Sequence, residues 1–131
     1  MSTRQKKSLA PQEMIKSFGH AFDGVKDIVR TEHNAWIHSV MTVIVLLISW
    51  WVGLDFVRWC FIILAIVSVW VAESFNTAVE ILTDHVSPDY SPTAKRAKDI
   101  AAAAVLIACI GAFVLGMIIL VPAVLQRLAG S

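Results

Sequence analysis

The chain has 131 residues, of which 57% are hydrophobic and only 16% charged. Soluble domains carry about 45–50% apolar and about 25% charged residues, so the composition argues against a soluble monomer; a disordered chain is excluded, because disorder needs low hydrophobicity and high net charge. Eleven Lys+Arg against ten Asp+Glu leave a net charge of +1, without the basic field that attracts nucleic acid.

Residues 1–11 read as a disordered basic tail carrying Arg4, Lys6 and Lys7. The polar start is not followed by an apolar run until Ala35, which is not the pattern of a secretory signal. The first hydrophobic helix is therefore expected to stay in the mature protein. Residues 12–30 form a different element. Met14, Phe18, Phe22, Val25 and Val29 recur at steps of 4, 4, 3 and 4, which is one face of a helix. Lys16, Asp23, Lys26, Asp27 and Arg30 fall mostly off that face. This pattern predicts an amphipathic surface helix, lying in the membrane interface or packed on the ends of a helical bundle.

Three stretches without a formal charge follow: 35–54, 59–72 and 100–126, of 20, 14 and 27 residues. A transmembrane helix needs about 20 apolar residues. The middle stretch is short only if it ends at Glu73, and no Pro or Gly breaks the chain between Phe56 and Ser87. The predicted spans are 35–54, 57–82 and 98–122, and 12–131 reads as a single all-α integral membrane domain. Six Lys/Arg precede Ala35, and Lys95, Arg96 and Lys98 lie in 83–99, against Arg58 and Arg127 elsewhere. The positive-inside rule places the N-terminus and the second loop in the cytoplasm, and the C-terminus outside.

Cys60 and Cys109 both lie in hydrophobic stretches and read as inert packing residues. Trp50, Trp51 and Trp59 fit an interfacial aromatic belt. Ala104, Ala108, Ala112 and Gly116 form a small-residue stripe suited to close helix packing. Pro122 reads as a kink or the fraying end of the last helix.

The segment Val71–Asp84, VAESFNTAVEILTD, carries the chemistry. Glu73, Asn76, Glu80 and Asp84 are spaced 3, 4 and 4 apart, so they share one helical face, while Phe75, Ala78, Val79, Ile81 and Leu82 keep the other faces apolar. Carboxylates at membrane depth are costly and usually mark function. An ordinary solvated helix end explains Asp84 but explains Glu73 poorly. Basic partners are near: Lys95, Lys98 and Asp99 sit at i, i+3 and i+4 at the start of the third helix. An antiparallel return would bring Glu80, Asp84, Lys98 and Asp99 to one level, which Glu32 reaches from the other side. Magnesium takes one or two carboxylates plus substrate phosphates, and lysines steady phosphate charge. The constellation suits a magnesium–nucleotide site, yet the sequence has neither a GxxxxGK[ST] nor a GxGxxG phosphate loop.

The segments ESFNTAVEILTD (73–84) and AKRAKDIAAAAVL (94–106) resemble the small bacterial membrane kinases, diacylglycerol kinase and undecaprenol kinase. The resemblance continues upstream through KSFGHAFDGVKDIVRTEHNAWIH (16–38) and covers about 12–120. It implies three transmembrane helices with an N-terminal surface helix, assembled as a homotrimer with active sites shared between subunits. It also implies magnesium-dependent transfer of the ATP γ-phosphate to a lipid hydroxyl at the cytoplasmic membrane. By the same resemblance Glu73 is the general base, Glu32 and Glu80 hold the metal, and Asn76 and Lys98 contact phosphates. Asp84 and Asp99 support the lysine and the nucleotide, Gly24 and Lys26 lie near the nucleotide, and Glu73 and Lys98 meet the lipid.

TEHNAWIH around His38 and SPDYSPTAK around Tyr90 look more like the undecaprenol branch, with diacylglycerol as the alternative acceptor. Rival readings are a proton- or cation-conducting subunit, which explains Glu73 but not Lys98 and Asp99, and a purely structural membrane protein, which explains only the small-residue stripe.

Overall fold

The computed structural model describes residues 11–31 and 33–130, with the side chains of Thr31 and His33 left aside. The basic tail expected over 1–11 lies outside the described residues except for Pro11. Four helices run in chain order: α1 (Pro11–Thr31), α2 (His33–Val52), α3 (Phe56–Val86) and α4 (Pro92–Ala129). Three of them, over Asn34–Val52, Phe56–Val86 and Pro92–Ala129, are long and apolar enough to cross a membrane.

The turn between α2 and α3 is short because its residues satisfy both helix ends. Gly53 adopts φ +70°, a conformation that side chains with a Cβ resist. Its N–H donates to the Trp50 carbonyl at 3.2 Å, and the Leu54 N–H donates to the Ser49 carbonyl at 3.3 Å. These two bonds form a Schellman cap that closes α2. Asp55 then opens α3: its carboxylate accepts the N–H groups of Val57 and Arg58, both at 3.0 Å. The Arg58 guanidinium adds an ion pair at 3.2 Å. The Arg58 backbone N–H, followed by the charge of its side chain, holds the Asp55 carboxyl below the usual carboxylate range.

At the far end of α3, the Ser87 N–H caps the Thr83 carbonyl at 2.9 Å. The Ser91 hydroxyl accepts the Ala94 N–H at 3.4 Å and starts α4, with Pro92 in the first turn, where its missing N–H costs nothing. α4 thus begins six residues before the span expected from 98. It also continues past Pro122 to Ala129, so this proline is interior and not the fraying end.

α3 and α4 are the most extensively packed pair. The buried core is small and sits by the α2–α3 turn, where Leu54, Ile62, Ile119 and Ala123 meet beneath Val45, Trp59 and Leu115. Elsewhere large apolar side chains such as Phe61, Ile107 and Phe113 are exposed. A soluble chain does not leave so much apolar surface bare; a chain solvated by lipid or by other subunits does. Several hydroxyls along the spans bond their own helix, as Ser39 does to the Ala35 carbonyl and Ser74 to that of Trp70, so these donors are satisfied without water. Cys60 and Cys109 are free thiols. Gly116, on the small-residue stripe, has open space where a Cβ would project, so the close approach expected there is not made within one subunit.

Candidate active site

The stripe on α3 passes from dry to wet. Glu73 is 1% exposed and Asn76 7%, Glu80 is half-buried and Asp84 is exposed. The 3, 4, 4 spacing keeps all four on one side of the helix, and the packing of α2 and α4 against its Glu73 end makes the gradient. The Asn76 amide donates to Glu80 Oε1 at 3.0 Å. That leaves Asn76 Oδ1 buried without a hydrogen-bond partner among the described residues, as are Glu73 Oε2 and Thr77 Oγ1. Buried polar atoms are nearly always paired. Three such oxygens within five residues leave hydrogen-bonding capacity at this end of the stripe for water, a ligand or a neighbouring subunit.

Glu73 opens into a cleft of about 240 Å³ between three helices. Asn34, Ile37 and His38 line it from α2, Glu73 and Asn76 from α3, and Ala102, Val105, Leu106 and Cys109 from α4. One part of its wall is polar and the α4 wall is apolar. His38 Nε2 lies 3.5 Å from Glu73 Oε2. The Trp70 indole N–H donates to Thr42 Oγ1 at 3.1 Å, fixing α2 to α3 one turn from this pair. Toward the wet end, Lys98 on α4 bonds Asp84 on α3.

The residues singled out from sequence divide accordingly. Glu73, Asn76 and Glu80 lie on one stripe, and Lys98 joins it through Asp84. Asp99 is turned to Lys95 on its own helix, at 2.5 Å. Gly24 and Lys26 sit on the exposed α1 and do not line the cleft. Glu32 lies outside the described residues. Among the described residues no three His, Cys, Asp or Glu side chains converge as a metal cage. Magnesium does not require one: the half-buried Glu80 carboxylate offers hard oxygens that suit a cation arriving with its phosphates.

Sequence reasoning passed over two cleft residues. His38 served only to separate two branches of the resemblance, and its signal was available: among residues 35–54 it is the only ionisable side chain. Cys109 was expected to be inert packing, yet it is half-buried and lines the cleft with Glu73.

The model of the prokaryotic diacylglycerol kinase family matches residues 19–120. The chain belongs to that family. It is 36% identical over 108 residues to an undecaprenol kinase of Bacillus subtilis, covering 82% of this chain and 88% of the relative. It is 29% identical over 107 residues to a diacylglycerol kinase of Escherichia coli K12, with the same shares. A diacylglycerol kinase of Synechocystis is 35% identical over 119 residues, covering 90% of this chain and 67% of the relative. As a member of the prokaryotic diacylglycerol kinase family, with its three membrane-length helices, the chain is an integral membrane lipid kinase, a phosphotransferase with an alcohol as acceptor.

Proposed function

We propose that this lipid kinase transfers the γ-phosphate of ATP to the hydroxyl of undecaprenol, with magnesium, giving undecaprenyl phosphate. The observation that carries the reading is the position of Glu73. It is a buried carboxylate with an unpaired oxygen, at the dry end of a polar stripe, in a cleft with an apolar wall. A lipid hydroxyl can reach it from the bilayer, while a soluble nucleotide approaches the exposed Asp84 end. Phosphoryl transfer asks the protein mainly for positioning and charge neutralisation, and the stripe is suited to both.

In this reading Glu73 takes the proton of the lipid hydroxyl. Glu80 and Glu32 hold magnesium, which neutralises phosphate charge when bound. Asn76 and Lys98 contact phosphates, and Lys98 also meets the lipid headgroup. Asp84 positions Lys98, and Asp99 with Gly24 and Lys26 supports the nucleotide. The apolar faces left bare, Phe113 and Ile107 among them, support a homotrimer with active sites shared between subunits. The exposed apolar face of α1, with Phe18 and Phe22, supports its lying in the membrane interface as an amphipathic helix. Residues 1–11 are assigned as a basic tail and 12–131 as the kinase domain. The N-terminus and the α3–α4 loop face the cytoplasm, and the C-terminus faces outward across the inner membrane.

The undecaprenol assignment follows the Bacillus relative and the segment around His38. Diacylglycerol is the second reading, supported by the Synechocystis relative at nearly the same identity. Purified protein in detergent, given labelled ATP, magnesium and each lipid in turn, distinguishes the two. Faster phosphorylation of undecaprenol is expected. A clear preference for diacylglycerol overturns the acceptor assignment, and labelling of neither overturns the kinase reading.

A further inference from the structure

We propose that His38 is the route by which Glu73 releases its proton, an inference that rests on the reading of Glu73 as the base. A carboxylate that takes a proton from the lipid must lose it before the next turnover. At 1% exposure, Glu73 presents almost no surface of its own, and its carboxyl is reached only through the cleft it shares with His38. Its Oε2 has no hydrogen-bond partner among the described residues, and His38 Nε2 stands 3.5 Å from that oxygen. The His38 side chain is 16% exposed against 1% for Glu73, so the imidazole stands between the buried carboxyl and the open side of the cleft. The ring meets Trp70 edge-on, with centroids 6.5 Å apart, and Trp70 is itself tied to Thr42. The imidazole thus packs against a residue that ties α2 to α3. Among the described residues lining the cleft, Asn34 and Asn76 do not titrate, and Cys109 on α4 is the one further titratable group. Imidazole is the side chain that both accepts and returns a proton near neutrality.

The steps balance. The lipid O–H bond breaks, its proton goes to the Glu73 carboxylate, and the oxygen electron pair forms the bond to the γ-phosphorus as the bond to the ADP oxygen breaks. The Glu73 O–H then breaks toward His38 Nε2, which restores the carboxylate and leaves an imidazolium. The imidazolium loses its proton to water.

The test uses the full chain in detergent with ATP, magnesium and lipid alcohol. His38→Ala is expected to lower kcat by about 100-fold, with the KM for ATP changed by less than about twofold. Added imidazole is expected to restore the rate in proportion to its free-base fraction. His38→Gln should show the same loss without rescue, because its side chain fills the space. Wild-type kcat in either variant overturns the proposal, as does a loss in His38→Ala that imidazole leaves untouched. If neither variant assembles, His38→Asn decides: a comparable loss of kcat is expected, and wild-type kcat overturns the relay. Glu73→Gln run in parallel separates the two readings: a fully active Glu73→Gln removes the base, whereas a dead one beside an unaffected His38→Ala removes only the relay.

Discussion

Lys98 on α4 donates its ammonium to the Asp84 carboxylate on α3, fourteen residues earlier in the chain, and closes the wet end of the stripe. Lys98 is 35% exposed and Asp84 68%. Solvent-exposed ion pairs contribute about 0–1 kcal/mol, so this one is a poor stabiliser and a better positioner. Asp84→Asn is expected to move the thermal midpoint in detergent by no more than about 1 kcal/mol in equivalent stability, while the KM for ATP rises several-fold. A large loss of stability with unchanged KM would reverse that assignment.

Glu73→Gln keeps the shape of the buried side chain and removes its basicity. Loss of a general base typically costs about 10² to 10⁴ in rate. Turnover is expected to drop into that range while assembly, followed by size-exclusion chromatography, stays as in the wild type. Activity within a few-fold of the wild type would show that another group takes the proton.

Cys109 faces the same cleft from α4, and the volume there is about 240 Å³. Cys109→Ser should be benign, because it preserves the space. Cys109→Trp should fill it and raise the KM for the lipid by about tenfold, equivalent to about 1.4 kcal/mol, with the KM for ATP unaffected. Equal rises in both constants would mean that the cleft does not belong to the lipid alone.

Asp55 caps α3 with a carboxyl held below its ordinary range by the Arg58 N–H. A group whose pKa is lower in the folded state stabilises above its unfolded value, about 3.9 for Asp, and that contribution disappears as pH falls through the folded value. Asparagine caps a helix about as well as aspartate but does not titrate. Asp55→Asn should therefore melt like the wild type near pH 7 and show a smaller loss of thermal midpoint between about pH 5 and pH 3. Identical acid sensitivity in the two proteins would remove Asp55 as a contributor.

Much of this was legible in the sequence because it depends on period and charge. The 3, 4, 4 spacing from Glu73 to Asp84 survives into three dimensions, since nothing in α3 breaks the helix. The third helix was read as opening among Lys95, Lys98 and Asp99, ahead of the span expected from 98, and the Ser91 cap with Pro92 behind it sets its first turn. Pro122 was read as a possible helix end, yet in apolar surroundings neighbouring helices can make good the hydrogen bond it removes. The pairing of His38 with Glu73 could not be read from spacing. It depends on how far α2 and α3 each run from their shared turn, and a formally neutral histidine is invisible to a charge count.

That turn acts as a ruler. His38 stands fourteen residues before Val52, and Glu73 seventeen after Phe56, or about 21 Å and about 26 Å along the two helix axes. Only the three residues Gly53, Leu54 and Asp55 intervene between the helices. A single residue inserted within α3 between Asp55 and Glu73 would swing the carboxylate about 100° around its rod and turn it away from its histidine onto another face of the helix. A short, fully capped hairpin, far removed from the chemistry, therefore sets the register on which the buried pair relies.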